Sequence, residues 1–289
     1  MNGIIRVFPR RTAATPDDDW AFVGPPPLPG MRPPEADVRA VHISVTFAWD
    51  REAARLLRAE WTRAYPEICV EMHGPAFGHE GGDFVPALYL RRGYVITSRG
   101  CIRRCPWCLA AQREGDIREL PITDGHDVLD NNLLACSRRH IDAVLDMLDR
   151  QPKPARFTGG LDARLLTEMP DIAAKIARGR LDVAYLAYDR PSAWPAVEAS
   201  IKMLREAGGW ADGQARRKLG VYVLAGFDPT DSEATIVRRA EQVLSLGATP
   251  FLMIYRSPTD RKDPAQEALK RRLRRWMRPR AIFAAQEAP

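Results

Sequence analysis

A chain of 289 residues with 45% hydrophobic and 28% charged side chains has an ordinary globular makeup with ample core, which excludes global disorder and a fibrous architecture. The formal charge of +6 is local: residues 261–280 hold nine Lys or Arg against Asp263 and Glu267, so the remainder is close to neutral and the pI of 9.2 describes one segment rather than a basic body. No run nears the roughly 20 apolar residues of a membrane helix, and Ile4 and Ile5 are followed at once by Arg6, Arg10 and Arg11, which excludes a secretory apolar region and points to the cytoplasm.

Residues 1–38 hold eight of the 24 prolines and read as an extended arm preceded by a short strand at Ile4 to Phe8. Residues 39–90 follow as a small α/β domain. Its β-α-β core has a first strand at Val41 to Phe47, then Asp50 as helix N-cap before Ala53, Leu56, Leu57 and Trp61, and a second strand at Ile68 to Met72. From Tyr94 the pattern turns regular, each short β-branched run leading into a helical stretch. The runs are Tyr94 to Thr97, Val128 to Asp130, Arg156 to Thr158, Val183 to Tyr188, Val221 to Ala225 and Phe251 to Tyr255. Six alternations within residues 91–260 predict a parallel sheet with external helices, a partial (β/α)6 TIM-like barrel rather than a complete eightfold one. Residues 261–289 form a basic C-terminal helix and tail, with Leu269, Leu273, Trp276 and Met277 at helical spacing as the docking face. A solvated outer face is the plain reading of its cations, and phosphate contact is the functional one.

The five cysteines are odd in number and three fall within eight residues, which no disulfide framework would show. Cys101, Cys105 and Cys108 form C-x-x-x-C-x-x-C directly after the first barrel strand. Three thiolates on a tight loop suit a soft-ligand metal, and a 4Fe-4S cluster held by three leaves one iron open. Arg99, Arg103 and Arg104 would offset the charge of such a cluster. The competing reading is a zinc site completed by Cys136, His126 or His140, on a non-catalytic nucleic-acid-binding module. Cys69 and Cys136 read as packed residues, His42 and His73 as ordinary hydrogen-bonded ones, and His79 as a weak ligand candidate. Arg99 could pair with Asp130, and Asp189 could cap the helix after Pro191.

With Trp107 just before the last cysteine, the triplet resembles the signature of the radical S-adenosylmethionine superfamily. The likeness continues through Leu129-Asp130-Asn131-Asn132, Gly159-Gly160-Leu161-Asp162-Ala163-Arg164, Ala187-Tyr188-Asp189 and Leu224-Ala225-Gly226-Phe227-Asp228. The resemblance implies an enzyme whose 4Fe-4S cluster reductively cleaves S-adenosylmethionine, the 5'-deoxyadenosyl radical then taking hydrogen from a substrate. It further implies Trp107 near the adenine, Asn131 and Asn132 at the methionyl amino group, and Arg164 at the carboxylate. Asp189 would meet the ribose hydroxyls, Gly226 and Phe227 the adenine edge. The usual Gly-Gly-Glu turn after the second strand is absent. An electron donor such as a flavodoxin or ferredoxin is implied. A nucleic acid or nucleotide is the favoured substrate, with a peptide or small metabolite as the alternative. The amino-terminal β-α-β unit is similar to that of cobalamin-dependent radical enzymes and methylthiotransferases, but Phe77 stands where the cobalamin loop has aspartate and no second cysteine triplet exists.

Overall fold

Strand β1, Ile4–Phe8, buries Ile5, Val7 and even Arg6, as a central strand covered on both faces must. The computed structural model, which describes residues 3–78, 82–257 and 264–277, sets it between β2 (Ala21–Val23) and β3 (Ala40–Ser44), with β4 (Val70–His73) beyond β3. All the pairings are parallel. Arg6 Nη1 donates to the carbonyl oxygens of Ala87 and Leu88, at 3.0 and 3.1 Å, and Nη2 pairs with the Asp18 carboxylate, which offsets the burial of the charge although Nε has no partner. Helix α1 (Arg51–Ala64) turns Ala54, Leu57 and Trp61 into the core. That face lies one residue off part of the expected register, leaving Ala53 and Leu56 exposed. Asp50 stands at the N-cap position but does not cap: its buried carboxylate takes Arg10 instead. Cys69, expected in the core, is exposed.

The chain divides into two compact units, the first running to Val95 and the second from Ile96 through Ser257 with the C-terminal helix. The expected strand at Tyr94 to Thr97 is realised over Tyr94–Val95 (β5), and a separate short strand, β6 (Ser98–Arg99), follows just beyond it. Strand β6 pairs antiparallel with β7 (Arg118–Glu119), and between them run the cysteine loop and the short helix α2 (Ala110–Glu114).

In the second unit β8 (Asp127–Val128), β9 (Ala155–Leu161), β10 (Leu181–Tyr188), β11 (Leu219–Ala225) and β12 (Thr249–Ile254) stand side by side in chain order, every pairing parallel. Parallel neighbours need crossovers, and helices supply them. Between β8 and β9 runs α3 (Arg138–Asp149), and between β9 and β10 run α4 (Ala163–Glu168) and α5 (Pro170–Arg178). Helices α6 (Trp194–Gly208) and α7 (Asp212–Lys218) link β10 to β11, and α8 (Glu233–Ser245) links β11 to β12. Ser137 caps α3 by accepting the His140 N–H at 3.2 Å, and Ser232 caps α8 through Thr235 at 3.1 Å. Helix α9 (Pro264–Arg272) and the turn after it bury Leu269, Leu273 and Trp276, three of the four residues expected to dock it; the side chain of Met277 lies outside the described residues. The protein is thus a mixed α/β structure with parallel sheets, and none of its described helices is long and apolar enough to cross a membrane.

Candidate functional site: a thiol loop beside the strand ends

The cysteine loop is tied down by carboxylates at its base. Gly100 enters it at φ +79°, and a Cβ there would lie 2.1 Å from the Asp116 carbonyl oxygen, so only glycine fits. Glu114 accepts the Gly100 N–H at 3.0 Å, Arg99 Nη1 at 3.3 Å and Asn131 Nδ2 at 2.5 Å. Arg99 therefore pairs with Glu114, not with Asp130 as the sequence suggested. Asp130 is buried and accepts the Thr97 N–H, Thr97 Oγ1 and Ser98 Oγ, each at 2.6 Å, fixing the start of the loop. Burial pushes its carboxyl up from the ordinary range, against those hydrogen bonds.

The three thiols are unbridged and graded in exposure: Cys101 buried, Cys105 half-buried, Cys108 open to solvent on one side. Cys101 Sγ accepts the Arg103 N–H at 3.3 Å and Asn132 Nδ2 at 3.6 Å. Desolvation pushes the Cys105 and Cys108 thiols up, and Asp189 and the sibling thiols add to it. Among the described residues, no three ligand atoms lying within 4.8 Å of one another include any of these sulfurs. Cys136 is buried, as expected, with its thiol pushed up to about 11 by burial. His140 lies against Glu119 at 3.7 Å, and His79 lies outside the described residues.

Beside the loop, the carboxyl ends of the parallel strands deliver the remaining groups. After β9, Asp162 accepts Arg103 Nε at 2.8 Å and Asn132 Nδ2 at 3.4 Å through Oδ2, and the N–H and Nε of Arg164 at 3.1 and 3.3 Å through Oδ1. Burial opposes ionisation of Asp162, yet Arg103 and Arg164 together hold its carboxyl below the usual range. Asn132 donates both its bonds through Nδ2, leaving its buried Oδ1 without a partner. Such an orphan acceptor is costly unless something else bonds it.

After β10, Asp189 accepts Trp107 Nε1 at 3.2 Å. Its carboxyl is pushed up by burial, with Trp107 and nearby arginines working the other way. The Arg190 guanidinium lies 4.3 Å over the Trp107 ring. After β11, Phe227 meets Trp107 edge-on at 5.4 Å, and after β12 Tyr255 meets Phe227 at 4.9 Å. Gly226 turns at φ +77° against Leu269. Arg239, buried in α8, joins Asp231 at 2.8 Å to the Asp189 carbonyl oxygen at 3.2 Å, bracing this corner from behind.

The residues expected to hold a cofactor thus fall into connected groups. Asn132 and Arg164 meet Cys101 and Arg103 through Asp162, while Trp107, Asp189 and Phe227 touch in sequence. Asn131 is drawn away to Glu114. Sequence reasoning missed Glu114, the clamping role of Asp162, Arg190 and Arg239. Asp162 and Arg190 could have been found as polar residues directly after strands, but nothing in its pattern marks Glu114. No family model matches the sequence, and no curated protein matches it.

Proposed function

We propose that the protein is a radical S-adenosylmethionine enzyme built on a partial (β/α)6 barrel, working in the cytoplasm. The observation that carries the reading is the gathering of three unbridged thiols, an orphaned buried acceptor at Asn132 and the Trp107–Asp189–Phe227 group around the carboxyl ends of one parallel sheet. Strands laid down in chain order would, with the right-handed crossovers that parallel strands almost always take, carry their helices on one face, as a singly wound barrel does. Ligand sites of such sheets form at the strands' carboxyl ends.

Cys101, Cys105 and Cys108 would hold a 4Fe-4S cluster. The donor set fits: three soft ligands, with no fourth cysteine in the loop. When bound, that cluster supplies one electron to the sulfonium of S-adenosylmethionine, releasing the 5'-deoxyadenosyl radical that removes a hydrogen atom from substrate.

The chain's own residues bind and orient. Asn132 Oδ1 is the acceptor for the ammonium N–H of the methionyl group, and its unsatisfied state supports that role. Arg164, about half exposed, pairs with the carboxylate. Asp189 keeps one oxygen on Trp107 and offers the other to ribose hydroxyls. Trp107 packs near the adenine, and Gly226 and Phe227 meet its edge. Asp162 positions both Asn132 and Arg164, and with the aromatic group it keeps water from the reacting atoms.

A nucleic acid or nucleotide is the proposed substrate class, supported by the exposed Arg271 and Arg274 of the C-terminal segment and by Tyr255 beside Phe227. The electron would come from a flavodoxin or ferredoxin. Anaerobic reconstitution of the full chain tests the cofactor reading. About four iron and four sulfide per chain, with brown absorbance, are expected; stoichiometric zinc and no iron uptake would overturn it.

A further inference from the structure

We propose that His42, Glu71 and His73 form a binding site for a divalent transition-metal ion of the zinc class, on the outward face of the first unit's sheet. This site is independent of the thiol loop.

The site follows from strand alternation. In β3, Val41 and Ile43 are fully buried, and in β4 Val70 is buried while Met72 packs against the same core. With a side-chain period of two, the opposite face must carry His42 and Ser44 from β3 and Glu71 and His73 from β4, with Cys69 two residues before Glu71. The parallel register sets His42 opposite Glu71 and Ser44 opposite His73. Cys69, Glu71 and His73 are all metal-ligating types, an unusual run for an outward strand face that needs only polarity.

Geometry closes the group. One ligand atom from each of His42, Glu71 and His73 lies within 4.8 Å of the other two. His73 Nε2 is 2.7 Å from Glu71 Oε2, and the two imidazole rings stand 4.5 Å apart between centroids. Two imidazoles at that distance repel if both are protonated, whereas an ion between them turns both lone pairs to use. His42 Nδ1 is 2.7 Å from the Tyr89 hydroxyl, which fixes the ring and leaves Nε2 as the ligand atom. That is the outer-shell partner a ligating histidine generally has. Cys69 Sγ donates to Glu71 Oε1 at 3.6 Å and steadies the carboxylate.

Two nitrogens and one carboxylate oxygen select zinc-class ions over magnesium or calcium, which prefer all-oxygen sets. Three protein ligands leave one position of a tetrahedral ion open to water. Glu71 is exposed and both histidines are partly so, which gives the ion an entry path.

The test is equilibrium dialysis of the full chain against zinc chloride, in a Cys101→Ser/Cys105→Ser/Cys108→Ser background that removes the thiol loop as a competitor. One zinc per chain is expected. His42→Ala and His73→Ala should each weaken it at least about tenfold, and Tyr89→Phe by roughly tenfold. No saturable zinc, or binding unchanged in the double histidine variant, would overturn the site. Should the triple variant misfold, cobalt titration of the wild-type chain decides. Visible bands without thiolate charge transfer, lost in His42→Ala, are expected; bands of thiolate character alone would overturn the proposal. Failure here leaves the iron reading intact, since that rests on other residues.

Discussion

Trp107 donates its indole N–H to Asp189 at 3.2 Å, joining the cysteine loop to the end of β10 across 82 residues of sequence. The bond holds a carboxyl group whose burial opposes its ionisation. A carboxylate kept in so unfavourable a place is a candidate for function rather than stability.

Asp189→Asn should therefore stabilise the empty protein while harming cofactor binding. The asparagine oxygen still accepts from Trp107, and the ionisation penalty is gone. Because the folded pKa of Asp189 is raised, the wild-type stability attributable to it is greatest below the unfolded carboxyl pKa of about 3.9 and is lost as pH rises through the folded value. The variant should gain about 1 kcal/mol at pH 7 in urea unfolding, and the gain should vanish near pH 3. Its affinity for S-adenosylmethionine, read by calorimetry on reconstituted protein, should fall.

Arg103→Gln should behave in the opposite sense. Arg103 and Arg164 hold the Asp162 carboxyl below the usual range, so the stability of that clamp is present at neutral pH and is lost as pH falls through the depressed value. Arg103 is partly exposed, which limits the cost to about 1–2 kcal/mol at pH 7. Chemical unfolding at pH 7 and below pH 3 should show the difference shrinking toward zero.

Iron retention should separate the cysteines. Cys101→Ala, Cys105→Ala and Cys108→Ala are each expected to abolish cluster uptake, and Cys136→Ala to spare it, measured as iron per chain after anaerobic reconstitution. Gly100→Ala should lower uptake without removing a ligand, because its methyl group would meet the Asp116 carbonyl.

Binding of single-stranded nucleic acid should depend on the C-terminal cations. Arg271→Glu/Arg274→Glu leaves Leu269, Leu273 and Trp276 docked, so the fold should persist. Affinity should fall, and the slope of log K against log salt should flatten by about 1.5, the share of two phosphate contacts. A salt-independent interaction would count against phosphate recognition.

Much of this architecture could be read before the structure. The apolar-rich runs at 183–188, 221–225 and 251–255 each lie in a parallel strand, give or take its ends, as strands covered by helices should, and the 156–158 run, in which only Phe157 is apolar and buried, falls in β9. What failed had a local cause. The Tyr94 to Thr97 strand stops at Val95, and Asp130 takes the backbone N–H and hydroxyl of Thr97. Cys69 faces outward because strand register, not polarity, sets its side. The pairing of His42 with Glu71 and His73 was illegible, since it depends on which strands lie side by side. Asn131 and Asn132, adjacent and alike in sequence, part company because Glu114 claims only the first.

The proposed open iron of a three-thiolate site is tested by electron paramagnetic resonance of the reduced, reconstituted protein with and without S-adenosylmethionine. A 4Fe-4S signal that changes when S-adenosylmethionine is added and is missing in Cys105→Ala is expected. A fully loaded cluster whose signal is indifferent to S-adenosylmethionine would contradict it.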